Sequence, residues 1–363
     1  RGFVESPFSP VAALAEPVGL SSGEVWAKNE TGAVGGSHKA RHLMAILIWL
    51  EMVAQHDADA ARKFGDLAIA SCGNAAVGAS VVAKAGGRKL QVFVPPDADP
   101  AAVKAIQKHG AEITPCPRER AAAGDPCYLK FRDAVAEGAV PFSVQGSENG
   151  LTIEGGKTLG YEMVSGLLRA DTKLDRLVLQ VGGGAMASSI IQAFRDGIRM
   201  GIVSKVPRVH CVQTAGAAPL ARAWALIVEY VADMLDLPIP DDHPGQAAAL
   251  AQVSVGDLDH ALRHAAHNRG DFMWPWEDTP KSIATGILDD ETYDWLALVE
   301  AMIRTGGWPV LVGEDILAEA HSRVTQAGVL SCVTGASGYA GAVALSREWG
   351  LDADGKLGIV LSG

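Results

Sequence analysis

Three short stretches combine residue types that could do chemistry. The first is Gly35-Gly36-Ser37-His38-Lys39-Ala40-Arg41, set before the apolar-periodic run His42–Gln55. Its two glycines permit a tight turn, and a helix start there would offer N–H groups to an anion. A lysine beside the positive end of a helix dipole has its ammonium form disfavoured, which favours a nucleophilic amine. The plain alternative is a solvated surface lysine. The second stretch is Ser71-Cys72-Gly73-Asn74-Ala75-Ala76-Val77-Gly78. Ser71, Asn74 and the N–H groups around Gly73 could hold a carboxylate, although an ordinary N-cap turn uses the same residues. The third is Gly182-Gly183-Gly184-Ala185-Met186-Ala187-Ser188. A strand, a glycine triplet and a helix make a phosphate cradle from backbone donors and the helix dipole. It is neither GxGxxG nor a Walker loop, since no Lys-Ser/Thr follows, and close helix–strand packing is its plain alternative.

A reactive lysine, an amide-bearing loop and a phosphate cradle are together what pyridoxal 5'-phosphate needs: a Schiff-base partner, an anchor and a grip on the substrate. Strands that position such loops are legible. Val25–Lys28, Leu67–Ser71, Leu90–Val94, Glu112–Thr114, Pro141–Gln145, Leu177–Val181, Arg208–Gln213, Trp308–Val312 and Gly358–Leu361 read as short β-branched runs. Between them lie Ala- and Leu-rich segments of helical period, such as Ala185–Met200. Alternation of this kind predicts an α/β fold with parallel sheets covered on both faces, and ligands beyond the carboxyl ends of the strands. The segment 233–280 is dense in Pro and acidic residues and reads as an irregular insertion at a substrate entrance or a subunit contact.

Composition narrows the classes. The 363 residues carry 31 Lys+Arg against 42 Asp+Glu, a formal charge of −11, and are 48% hydrophobic. That apolar content suffices for a core, which excludes whole-chain disorder. The acidic balance, with no basic run, argues against a nucleic-acid partner. The apolar stretch Leu43–Leu50 is too short to span a bilayer, so no membrane partner is expected. No secretory signal opens the chain. The five cysteines are odd in number and widely spaced, without a CxxC pair, which points to free thiols and a cytoplasmic setting.

The three motifs in this order resemble those of the fold-type II pyridoxal-phosphate enzymes, the superfamily of tryptophan synthase β subunits, serine/threonine dehydratases, threonine synthases and O-acetylserine sulfhydrylases. The resemblance runs from about residue 5 to 363. It implies two α/β lobes, a smaller one of residues 40–148 and a larger one of 1–39 plus 149–363, with the cofactor in the cleft between them and closure over substrate. It implies Lys39 as the Schiff-base lysine and catalytic base. It implies Asn74 at the cofactor's ring hydroxyl, and Ser71, Cys72, Gly73, Asn74 and Ala75 at the substrate carboxylate. Gly182, Gly183, Gly184, Ala185 and Met186 match the phosphate loop. Ser362, in Val360-Leu361-Ser362-Gly363, matches the strand-end serine that faces the pyridine nitrogen, a neutral partner that favours β-chemistry. His38 stands where dehydratases carry Phe and is similar to the tryptophan synthase residue that helps hold the phosphate. Cys72 stands where Ser or Thr is commoner and is read as a packing thiol. Thr334–Gly341 resembles the Ser-Gly-Ala helix start of dehydratases and synthases.

The activity this implies is a lyase reaction: β-elimination on a serine- or threonine-like amino acid, releasing ammonia and a 2-keto acid. Threonine synthase or another β-replacement synthase is the alternative, and a non-catalytic cofactor-binding protein is the alternative of another class. A homodimer, a small amino-acid substrate and no regulatory domain within this chain are expected. No metal site is expected: His260, His264 and His267 share a helical face, but no Cys or Glu completes a ligand set. Asp289, Asp290 and Glu291 read as the start of a helix through Trp295, Trp274 and Trp276 as packing, and Arg41 as a phosphate contact or a salt-bridge partner.

Overall fold

A computed structural model describes residues 2–117 and 125–363. Ten strands run in chain order: β1 Phe8–Pro10, β2 Glu24–Asn29, β3 Leu67–Ala70, β4 Leu90–Val94, β5 Glu112–Pro115, β6 Val140–Pro141, β7 Arg176–Gln180, β8 Arg208–Thr214, β9 Val310–Val312 and β10 Lys356–Leu361. The first helices are α1 Ala12–Ala15, α2 Lys39–His56, α3 Ala58–Ala61, α4 Asn74–Ala85, α5 Pro100–Lys108, α6 Pro126–Ala136 and α7 Leu151–Arg169. Then come α8 Ala185–Arg199, α9 Pro219–Leu235, α10 His243–Leu250, α11 Val255–His267, α12 Arg269–Phe272, α13 Trp295–Thr305, α14 Glu314–Gln326 and α15 Val333–Trp349. Among the described residues no helix is long and apolar enough to cross a membrane. The chain divides into two compact units, Arg1–Val4 with Gly32–Leu159, and Glu5–Thr31 with Gly160–Gly363.

The first unit is built on a four-stranded sheet in the order β5-β4-β3-β6, with every pairing parallel. Strand β3, Leu-Ala-Ile-Ala, is apolar at every position because both of its faces are covered. Leu67 and Ile69 of β3, with Leu90, Val92 and Val94 of β4, join Leu43, Ile46, Leu47 and Leu50 of α2 in one core. The alternate residues Ala68 and Phe93 face the other way, onto Cys116, Cys127 and Phe131. Two cores thus follow from the period of two along each strand.

The second unit carries a six-stranded sheet in the order β1-β2-β10-β7-β8-β9. All neighbours are parallel except β1, an antiparallel edge strand on β2 that its three-residue length hid in the sequence. Helix α15 lies directly on this sheet. A Cβ at Gly341 would come 2.9 Å from Val178 Cγ1, so the helix approaches as closely as its backbone allows.

Two expectations need correction. The segment 233–280 is mostly helical rather than irregular. Asp242 caps α10 with Pro244 in its first turn, and Ser254 caps α11, so the Pro and acidic residues mark helix starts. Strand β6 ends at Pro141, not near Gln145, although Phe142 N still donates to Ala68 O. Trp274 and Trp276 pack on a cation, with the Arg222 guanidinium carbon 3.9 and 5.2 Å from their ring centroids. His264 stacks on Tyr230 at 4.4 Å.

Candidate active site

In the first unit, Lys39 is the first residue of α2 and is half-buried. What holds it is the packing of α2 on α4. A Cβ at Gly78 would lie 3.2 Å from Ala40 N and 3.4 Å from Lys39 Cβ, so the absence of a side chain lets the two helices meet at this turn. Asn74 begins α4 one turn earlier, with Ser71 and Cys72 in the loop from β3. The fold therefore brings the lysine and the amide-bearing loop together within one unit. Replacing Gly78 with valine is expected to force the start of α2 off α4 and to cost about 1–3 kcal/mol. It should also lower cofactor content; thermal denaturation and absorbance per chain check both.

Three groups around Lys39 set its electrostatics. His38 and His42 flank it on α2, their rings edge-on with centroids 5.6 Å apart. Burial, and then the Lys39 charge, hold the His38 imidazole well below its ordinary value. The same causes push His42 down to about 3, against a hydrogen bond to Thr152 O that opposes the shift. Both rings are therefore neutral near pH 7. His42 Nδ1 donates to Thr152 O at 2.8 Å, so its Nε2 carries the lone pair. Arg41 is buried two residues from the lysine. His42 was not singled out in the sequence, where it reads as one more residue of the helical run. The signal was its i,i+4 spacing from His38.

The Ser71–Ala75 loop precedes a helix that no side chain caps. Ser71 Oγ accepts from Gly73 N at 3.4 Å. Burial raises the Cys72 thiol, as do the carboxylates Asp97, Asp125 and Asp99, so this residue is a neutral thiol and not a nucleophile.

In the second unit, β7 leads into Gly182–Gly184 and α8 begins at Ala185. Gly184 is the N-cap at φ +102°, a conformation that favours glycine, and no side chain closes the helix start. Ala185 and Met186 form the buried first turn. Strands β7 and β10 pair in parallel register, so Ser362, just past β10, stands at the same carboxyl edge as the glycine turn. Ser362 is buried and its carbonyl accepts from Ser331 Oγ at 2.6 Å. Gln180 Nε2 ties the edge together, donating to Val360 O at 3.2 Å and Gly335 O at 3.3 Å.

The triplet also packs closely, so its plain reading is true alongside the other. Gly182 meets Asp289, a Cβ at Gly183 would come 2.8 Å from Tyr293 Cδ2, and one at Gly184 would come 3.1 Å from Asp294 Cβ. Thr292 Oγ1 donates to Gly182 O at 3.0 Å, and Asp294 N donates to Gly183 O at 3.0 Å. The acidic run 289–291 does not start a helix. It precedes α13, whose N-cap is Asp294, and belongs to the segment that backs the glycine turn. Burial pushes the Asp294 carboxyl up to about 6, which moderates its repulsion of an anion at the start of α8. Thr292, Tyr293, Asp294 and Gln180 are the residues that sequence reasoning did not reach.

These residues fit pyridoxal phosphate on chemical grounds. An amine sits on one helix start, while α4 and α8 begin without side-chain caps, unlike α5, α6, α10 and α11. Uncapped N–H groups at a glycine turn suit a phosphate.

Comparison with known proteins agrees. The L-serine dehydratase of Saccharomyces cerevisiae is 28% identical over 214 residues, 56% of this chain and 60% of that protein. The threonine synthase of Methanosarcina acetivorans is 35% identical over 78 residues, 21% of this chain and 18% of that one. The chain thus spans less than two thirds of either relative's length. Among solved structures, maize serine racemase has the same fold, with a TM-score of 0.69 at 18% identity over 99% of this chain and 88% of that one. The model of the family described as "Pyridoxal-phosphate dependent enzyme" matches residues 2–363, and the chain belongs to that family.

Proposed function

We propose that this chain removes ammonia from a small hydroxy amino acid by β-elimination and leaves a 2-keto acid. The observation that carries this reading is the setting of Lys39, an amine on a helix start between two neutral imidazoles and against the first turns of α4. When bound, pyridoxal phosphate supplies the electron sink for charge at the substrate α-carbon. Lys39 holds it between turnovers and, once released, accepts the α-proton on Nζ. His38 and His42 are uncharged there and add no charge beside the amine. The N–H groups of Gly73, Asn74 and Ala75, with Ser71, would bind the substrate carboxylate, and the resemblance assigns Asn74 to the cofactor's ring hydroxyl. Gly182–Met186 would hold the phosphate, a role the resemblance extends to His38, and Ser362 would offer the ring nitrogen a neutral hydroxyl. The proton on Lys39 can pass to the departing hydroxyl, which then leaves as water.

The similarity to serine dehydratase supports elimination, and that to threonine synthase supports β-replacement as the second reading. The test is a panel of amino acids scanned by absorbance and by keto-acid release. Keto acid formed from serine or threonine with no added nucleophile is the expected result. Consumption that requires a second nucleophile would select replacement, and a colourless, inert protein would overturn both. A homodimer is proposed from the resemblance alone, and light scattering reads it. The five free thiols suit a reducing compartment.

A further inference from the structure

The geometry points to a second binding site in the larger unit, for a small polyvalent oxyanion such as a polyphosphate or polycarboxylate, at the amino ends of β7 and β8. It is independent of the reading of Lys39. The sheet register builds it. Arg176 and Arg208 are the first residues of their strands and are direct partners across the parallel pair. Neighbouring strands lie about 4.8 Å apart and paired residues share a face, so two guanidinium stems leave the same edge of the sheet side by side. A cavity of about 610 Å³ opens over them. That is within the ordinary size range of ligand sites.

Its lining is ionic. Arg195, Lys205 and Arg304 join Arg176 and Arg208 on the walls, with Asp175 and Asp352 as the acidic members. Two of these cations are already neutralised. Glu300 pairs with Arg195 at 3.4 Å and with Arg304 at 2.7 Å, and Asp259 adds a second partner to Arg304. Asp175 is engaged as well, since its Oδ2 accepts from Lys356 N at 2.9 Å. Among the described residues Arg176, Lys205 and Arg208 form no ion pair with a carboxylate.

Arg176 is the telling residue. It is half-buried, and its Nη1 donates to His210 Nε2 at 3.0 Å, a neutral ring and not a carboxylate. Burial, and then the Arg208 charge, hold its guanidinium below its ordinary value. In a chain of net charge −11, three cations that form no ion pair among the described residues, set against the lining carboxylate Asp352, are a local excess of positive charge. An anion with several oxygens would receive charge-assisted, forked donors from both arginines and offset their mutual repulsion.

The site stands apart from the glycine turn. Arg176 opens β7 and Gly182 follows its far end, so about 20 Å of extended strand separates them. A polyanion here would not compete with a phosphate at α8.

The experiment titrates the cofactor-loaded protein by calorimetry with sodium triphosphate and, separately, with citrate. Sodium chloride at matched ionic strength is the control. Saturable one-to-one binding of either anion is expected, and the tighter of the two identifies the source. Arg208→Ser and Lys205→Ser change exposed residues and should fold normally; each should weaken binding at least about 10-fold, the loss of one charge-assisted contact. The cofactor absorbance should not change on titration. No saturable binding beyond the salt control, or the parent's affinity retained in both variants, would overturn the assignment.

Discussion

Replacing Lys39 with alanine is expected to lower turnover by at least about 10⁴-fold, because on the proposed reading it would remove the covalent anchor and the proton acceptor together. Two readouts separate this from a folding defect. The yellow absorbance of the loaded protein should disappear, and far-UV circular dichroism should not change, since alanine is an excellent first residue for α2. Lys39→Arg makes the sharper control. It keeps a cation beside Arg41 but cannot form the Schiff base, so it should be as inactive as alanine. Full activity in either variant would mean that the chemistry lies elsewhere in the chain.

Acid should destabilise this protein above the ordinary carboxylate range. His38, His42 and His210 are buried and their imidazoles are held below the ordinary value, the last two at about 3. For His210 the causes are burial and then Arg176. Such groups are neutral when folded and take up protons when unfolded, at about 6.5. The unfolded state therefore binds more protons below that pH, and stability falls as pH falls. The contribution is intact above about 6.5 and is lost steadily toward the folded values. Between pH 6.5 and 5 His42 and His210 should each cost about 2 kcal/mol, and His38 acts in the same direction. Asp294 works the other way. Its raised carboxyl favours the folded state as pH falls through 6, offsetting roughly 1 kcal/mol by pH 5. Against a total of about 5–15 kcal/mol the net effect is large. Urea midpoints measured from pH 7 to 5 should drop steeply, and His42→Asn should flatten the slope. A flat profile in the parent protein would refute the account.

Much of this was legible before any coordinates. All nine strands expected from β-branched runs exist, and the buried ones such as β3 and β7 stood out because strands covered on both faces are apolar at successive positions. Lys39, the Ser71 loop and the glycine turn stood out because each follows or precedes an element whose period is unambiguous. The rest was hidden for physical reasons. Strand β1 is too short to show a period. Prolines and acidic residues in 233–280 looked like loop signals, yet Asp242, Pro244 and Ser254 serve as helix starts. The role of Thr292, Tyr293 and Asp294 could not be read locally. They act on a turn more than a hundred residues earlier, and that pairing is a tertiary fact. The paired Arg176 and Arg208 needed the strand register, which spacing alone does not fix.

The segment behind the glycine turn has a practical corollary. The Tyr293 ring packs on Gly183, and trimming it to alanine would leave a void there and let the turn wander. At the bench this would show first as material that purifies pale and recovers its colour when vitamin B6 phosphate is added back. Losses of that kind sort with retention rather than rate, and they would map to a part of the chain that a search for reactive side chains would pass over.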